Sequence, residues 1–527
     1  MNTAILVSLW LRRDRIMLPL WVYGLTALAA STAYGFKSLY TTPGSIHSFA
    51  AGVAGNAATL AMYGPIFDQN TLGGLVAWRS VTIAGALVAV MSILLVTRHT
   101  RAEEEAGRLE LIGAGVVGRR APLTAGLLVA VIANVTVAVL ATAVLAAVGL
   151  PFAGSVAFGL AWLASGLAFT AVAAVAAQLT ESARTANGIA VAVLGAAYLL
   201  RAVGDAGSAH WLTWLSPIGW ASQVRPYAGD RWWVLLVPAA FTALLAVAAY
   251  TLTGRRDLGA GLVPPRPGPA RAAPGLRSPL ALAWRLQRGT LCGWGAGFVV
   301  YGAAIGGIAD GISTLVKGSS STEKVVIEMG GGHNIVDAFL ALGMGILGVL
   351  AASYVVAAAL RLRGEETGQR LEPLLAARAG RIRWAAGHLV IAASGAAALL
   401  AAGGLAAGLA HGLRTHDVAG QVPRLTGGAL VQAPAVWVLA GIAAALFGLL
   451  PRFTGAAWGA VGLFLLLGQL GPVLNLSQWV MDVSPFTHVP KVPGGAVSAA
   501  PLIWLAVTAA ALAAMGLAAF RRRDLSL

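Results

Sequence analysis

The chain has 527 residues, of which 58% are hydrophobic and only 11% charged, with a net charge of +16 and a mean hydropathy of +0.78. A soluble globular protein of this length cannot hide so much apolar side chain in one core, so that class is excluded and lipid becomes the expected solvent. A basic balance in a soluble chain would point to nucleic acid, but here the arginines flank apolar segments, where anionic headgroups account for them, and no nucleic-acid partner is expected.

A helix needs about 20 apolar residues to cross roughly 30 Å of hydrocarbon. Residues 3–15 precede the first such segment and combine Ile5, Leu6, Leu9 and Trp10 with arginines at one end, which predicts an amphipathic helix at the membrane interface. The apolar start is short, runs into arginines and lacks a small-residue cleavage site, so no cleavable signal peptide is expected. Twelve spans are predicted, near 17–36, 76–97, 122–149, 152–178, 187–204 and 233–253, then 291–309, 338–360, 384–411, 428–450, 455–475 and 500–520.

After the second span comes RAEEEAGRLELIGAGVVGR, Arg101 to Arg119. Glu104 and Arg108 are four apart with the acid first, the favourable order for a helical pair. The segment should therefore continue the span as a helix, with Glu103, Glu104, Arg108 and Glu110 outside the hydrocarbon and the apolar pair Leu111 and Ile112 at its tip before glycines break it. Five tryptophans, Trp211, Trp214, Trp220, Trp232 and Trp233, cluster before the sixth span and fit an interfacial aromatic belt, with a lid over a substrate path as the other reading. Gly261 to Pro279 is proline-rich, which favours extended backbone and predicts a cytoplasmic spacer. Ser278 and Pro279 then resemble an N-cap and first-turn proline of a short helix ending near Arg288.

The charged segment recurs. RGEETGQRLEPLLAARAGR, Arg363 to Arg381, lies 262 residues on and matches at nine of nineteen positions without a gap. Glu365, Glu366, Arg370 and Glu372 repeat the charges, Leu374 and Leu375 the apolar pair, and Pro373 is expected to break the helix. Ser216 and Pro217 return as Ser484 and Pro485, Arg255 to Leu258 (RRDL) as Arg522 to Leu525, and Trp21 as Trp294. The chain thus reads as a tandem duplication: a six-span half over 1–258, a linker over 259–278 and a second half over 279–527. Six spans is an even number, so the halves form a parallel repeat. The expected fold is an all-α polytopic membrane protein of about 12 helices.

Arginines set the orientation. Arg12, Arg13 and Arg15, the group from Arg98 to Arg120, Arg184, and Arg255 with Arg256 fall on one side, and Arg285, Arg288, the six from Arg361 to Arg383, Arg452 and Arg521 to Arg523 repeat this. Both termini are expected in the cytoplasm of a bacterial cell bounded by its inner membrane. A short helix with acids and an apolar tip, held between two spans, suits a mechanical handle for a cytosolic partner; the bland alternative is a solvated loop that obeys topology.

With these residues in hand, the chain resembles permease subunits of ABC-2 type exporters, in particular the duplicated twelve-span group that exports polyketide antibiotics, the tetronasin type. The resemblance covers the whole chain and is most specific at the charged segments. It implies that Glu103, Glu104, Arg108, Glu110, Leu111 and Ile112, with Glu365, Glu366, Arg370, Glu372, Leu374 and Leu375, form coupling helices touching two copies of a separate ATPase that binds ATP and Mg. It also implies a path between the halves lined by spans two and five, at Met91, Ser92, Tyr198, Met344, Ser353, Tyr354, Trp458, Phe464 and Gln469, for a hydrophobic or amphiphilic compound. Gly107 stands where the second copy has Gln369, and Leu111 where it has Pro373, so the two handles need not be equal.

Other classes fit less well. A P-loop needs a glycine-rich loop with a reaching lysine, and Lys37, Lys317, Lys324 and Lys491 stand in no such context; the motor, and with it the cofactors, belongs on another chain. A proton-coupled twelve-span antiporter is the alternative, but it needs acids inside the membrane, whereas Asp205, Asp310 and Asp337 fall at span ends and read as interfacial. His388 and His411 lie apart, at opposite ends of one span, so neither a catalytic nor a metal site is expected. Cys292 is the single cysteine, which excludes an internal disulfide, and MGGGHN at Met329 to Asn334 reads as a loop turn.

Overall fold

The computed structural model describes residues 3–54, 57–109, 118–264, 270–271, 273, 276, 278–309, 334–376, 380–467, 477–495 and 498–524. The regular structure among the described residues is helical, with no strand, and the chain divides into two compact units, Met1–Gly268 and Pro269–Leu527.

In the first unit the helices are α1 (Thr3–Arg13), α2 (Met17–Leu39), α3 (Pro43–Ala54), α4 (Ala57–Tyr63), α5 (Leu72–His99), α6 (Arg101–Glu105), α7 (Ala121–Ala147), α8 (Phe152–Leu179), α9 (Ala183–Ala206), α10 (Trp211–Trp214), α11 (Pro217–Gln223) and α12 (Leu236–Arg255). Long apolar runs make these helices, because backbone groups in hydrocarbon must bond within their own segment. Side chains set the starts. Thr71 caps α5 by accepting from the Gly74 N–H at 3.1 Å, and Ser216 caps α11 through Gly219. The most apolar windows of α5 and α8 are each 72% buried against 17% for the span built on α12, so the first two form the centre and α12 faces lipid. Small residues allow this: a Cβ on Gly159 of α8 would sit 2.6 Å from the Ala138 carbonyl oxygen of α7.

The second unit contains α13 (Pro279–Ile308), α14 (Ile335–Thr367), α15 (Leu371–Ala376), α16 (Arg381–Thr415), α17 (Val418–Leu430), α18 (Ala433–Leu449), α19 (Ala456–Leu465), α20 (Gln478–Met481) and α21 (Ala499–Arg522). Its core gathers Leu347, Tyr354, Val355, Leu399, Val436 and Leu439 from α14, α16 and α18.

Among the described residues ten helices are long and apolar enough to cross a membrane, or eleven if α1 and α2, bent by 70°, count as one broken span. The predicted span near 455–475 appears as α19 up to Leu465, and its continuation past residue 467 lies outside the described residues.

Two local expectations change. Ser278 caps α13 as expected, accepting from Ala281 N–H at 3.1 Å, but the helix runs unbroken to Ile308 instead of ending near Arg288. In the first unit the matching place is a bend, where the fully buried Asp14 turns inward to Arg98 at 3.1 Å and to His99 at 2.6 Å. The second copy has Gln287 there, which meets His388 Nδ1 at 3.1 Å, and Cys292 where the first has Pro19. The second change concerns Pro373, which sits inside α15; the break comes four residues earlier, at Gln369 with φ of 55°. Gly107, its counterpart, has φ of 68°.

Candidate functional site

The predicted handles bring two repeated motifs together. Glu104, just past α5, receives both guanidinium nitrogens of Arg256, at 2.7 and 2.9 Å, and also pairs with Arg101. Arg256 is the second arginine of RRDL, 152 residues away in sequence. Its Nε donates to Gln178 at the end of α8 at 2.7 Å, and its carbonyl accepts from Arg119. Arg101 is itself fully buried and donates to the Ala177 and Ala260 carbonyls at 3.1 and 2.9 Å. One buried carboxylate therefore ties α5, α8 and α12 at the arginine-rich end.

The second unit repeats the arrangement. Glu366 accepts from Arg523 at 2.6 Å and from Arg363 at 3.0 Å, and Arg381 donates to the Arg523 carbonyl at 2.8 Å. Arg523 also reaches the Phe447 carbonyl of α18 at 3.1 Å. Arg101, Glu104, Arg119 and Arg256 thus hold the same places in the first clamp as Arg363, Glu366, Arg381 and Arg523 in the second.

A second acid flanks each clamp. Glu103 accepts two bonds from Arg108, at 2.7 and 3.0 Å, and pairs with Arg13 of α1. The Glu103 hydrogen bonds push the Arg108 pKa above its ordinary value. Glu365 lies 3.3 Å from Arg361 and 3.6 Å from Arg370. Glu105 accepts from the Ala183 N–H at 3.0 Å, so an acid also serves the first turn of α9.

These positions differ from the expectation of acids presented to a partner. The side chains of Glu103, Glu104, Glu365 and Glu366 are all buried, because each is matched by arginines: Glu103, Glu104 and Glu366 by ones brought in from other helices, Glu365 by Arg361 one turn back on α14 and by Arg370. What remains outward is Arg108, half-exposed, and in the second unit Arg370, Glu372 and Ala376, with Leu374 and Leu375 half-buried beneath. Glu110, Leu111 and Ile112 lie outside the described residues.

The residues expected to line a path divide. Met91 and Met344 are fully buried in the cores of their own units, and Ser92 is spent on packing, donating to Val88 and accepting from Asn134 of α7 at 2.9 Å each. Ser353 bonds back to Val349 at 3.1 Å, and Tyr354 is buried against Gly395 of α16. Trp458 is exposed, Phe464 mostly buried, and Gln469 lies outside the described residues. Tyr198 donates to the Met62 carbonyl at 2.6 Å beside an ion pair that sequence reasoning missed.

That pair is Arg201 with Asp205 at 3.3 Å, one turn apart on α9. Asp205, at the end of α9, is buried, with Arg201 beside it and Thr213 donating to it at 2.8 Å. Arg201 also donates to the Ala61 and Met62 carbonyls of α4, fixing that short helix to α9. The i,i+4 spacing of Arg and Asp near the end of the fifth span was the available signal.

Comparison with known proteins gives two matches. Residues 6–252 and 276–521, one stretch in each compact unit, match the family model described as "Multidrug efflux system permease Rv1217c, C-terminal domain". The chain is also 46% identical over 525 residues to the "Multidrug efflux system permease protein Rv1217c" of Mycobacterium tuberculosis, an alignment that covers 99% of this chain and 95% of that protein.

Proposed function

Because the chain belongs to the family of the multidrug efflux system permease Rv1217c, we propose that it is the membrane permease of a drug exporter driven by ATP hydrolysis on a separate chain. The matched family replaces the tetronasin-type group that the motifs resemble. In this reading the arginine-rich ends and both termini are cytoplasmic, two ATPase copies bind ATP and Mg, and the compound exported is hydrophobic or amphiphilic.

The observation that carries the proposal is the doubled clamp. Glu104 with Arg256, and Glu366 with Arg523, rigidly join the segment after the second span to the end of the sixth. A segment so held moves with its helices, which is what transmission of force from a motor requires. The coupling surface is then assigned to the outward residues, Arg108, Arg370, Glu372, Leu374 and Leu375, while the buried acids stiffen the lever.

The alternative, a proton-coupled antiporter, needs a membrane acid free to exchange protons. Asp205 is the buried carboxylate of α9, and it is committed to Arg201 and Thr213. The deciding experiment is copurification: Arg370→Glu with Glu372→Lys should leave the chain abundant in the membrane but weaken retention of the ATPase and raise drug accumulation. Full export by the well-expressed double variant would return the segment to a solvated loop.

A further inference from the structure

The second unit contains a cavity of about 650 Å³ between α18, α19, α21 and the loop around Ser484 and Pro485. That volume is in the range of organic-ligand sites. Thr508 in its wall is nine residues into α21, so the cavity reaches about 13 Å down the helix from the end away from the arginines.

The internal repeat shows how this space arises. Aligning Ser216 and Pro217 with Ser484 and Pro485 places Trp214 on Asp482 and Trp220 on His488; aligning the RRDL motifs places Trp233 on Ala500 and Phe241 on Thr508. In the first unit these four rings pack as two pairs. Trp214 stacks on Trp233 with centroids 5.7 Å apart, and Trp220 meets Phe241 edge-on at 5.3 Å. All four counterparts, Asp482, His488, Ala500 and Thr508, line the cavity. One copy carries two aromatic pairs at the positions that line the cavity in the other.

The lining also has a sign. Asp482 accepts from Gln478 at 2.8 Å and has no cationic partner among the described residues, while His488 is held by the Asp482 backbone carbonyl at 2.9 Å. Trp504, exposed at the mouth, offers a ring face, and Phe464 an apolar wall. A carboxylate beside aromatic rings in an apolar space favours a cation with a greasy body. We propose that this cavity is a binding site for lipophilic organic cations that enter from the membrane. It rests on the efflux reading and names a substrate class for it.

The test uses the purified full chain in lipid nanodiscs, without ATPase, and two probes of one shape and opposite charge, tetraphenylphosphonium and tetraphenylborate. Tetraphenylphosphonium should bind about tenfold more tightly than the anion. Asp482→Asn should bring the two affinities together. Ala500→Trp with Thr508→Phe, which restores two of the first unit's four side chains, should abolish both while the thermal melting point is kept. Equal affinity for both ions in the wild type, no effect of Asp482→Asn, or a copurifying phospholipid that the cation fails to displace would overturn the site. Failure here with intact drug export in cells leaves the efflux reading standing; loss of export with normal cation binding does the reverse.

Discussion

Glu104 and Glu366 are each shared by two arginines inside their unit, and this decides what their removal does. Taking one member from a buried ion pair leaves charge uncompensated, at a cost of about 3–5 kcal/mol. Glu104→Gln and Glu366→Gln should therefore lower the melting temperature and membrane abundance, whereas Glu372→Gln, on an exposed side chain, should change stability by less than about 0.5 kcal/mol. A melting series in detergent separates these outcomes, and equal stability of Glu104→Gln and wild type would count against the clamp. The acids themselves were legible because they repeat. Their partners were not: Arg256 lies 152 residues from Glu104, and no local period links them. Gln369 gives a smaller test. It holds the left-handed conformation that Gly107 holds in the first unit, and a side chain there carries strain that glycine lacks. Gln369→Gly should stabilise the second unit by up to about 1 kcal/mol, read as a raised melting point.

Spans were the most legible elements, because length and hydropathy alone separate lipid-crossing helices from loops. The ends of α5, α8, α9, α12 and α21 fall within a few residues of expectation and α14 continues into the charged segment as expected, while α13 starts well before its predicted span. Joints were less legible. A leading helix that bends, as α1 does before α2, and one that runs on, as α13 does, differ at more than one place: Asp14 stands against Gln287, and Pro19, which cannot continue a helix ladder, against Cys292. Packing order was equally hidden, since α5 and α12 are both apolar along their length, yet only α5 is central. Close approach explains which helices pair. A Cβ on Gly448 of α18 would stand 2.1 Å from the Gly516 carbonyl oxygen of α21, and one on Gly516 would stand 2.2 Å from the Ala444 carbonyl. Neighbouring backbone cannot yield as a flexible side chain does. Gly516→Leu should therefore push α21 away from α18 and cost about 1–3 kcal/mol or more. Thermal unfolding should show the loss, while Gly459→Ala on α19, where a Cβ meets open space, should leave the transition where it was.

Two compact units, each with its own clamp and each matched by the same family model, support the reading of this chain as a fused pair. The reading of an ATP-driven exporter then fixes a stoichiometry. Two nucleotide-binding subunits are needed to enclose ATP between them, and each needs one coupling segment to push. A permease with one segment per chain must dimerise to supply two; in this reading the present chain carries both, the first after α5 and the second at the end of α14. We expect native mass spectrometry of the complex to give one permease chain with two ATPase subunits. The segments differ in sequence, Gly107 against Gln369 and Leu111 against Pro373, so their grip on the motor should differ too. Disabling the outward residues of the second unit alone, Arg370 and Glu372, should then leave a complex with one ATPase retained, seen as a one-to-one species. Two permease chains with two ATPases in the wild-type complex would show that the fused halves do not act as a pair, and the duplication would need another explanation.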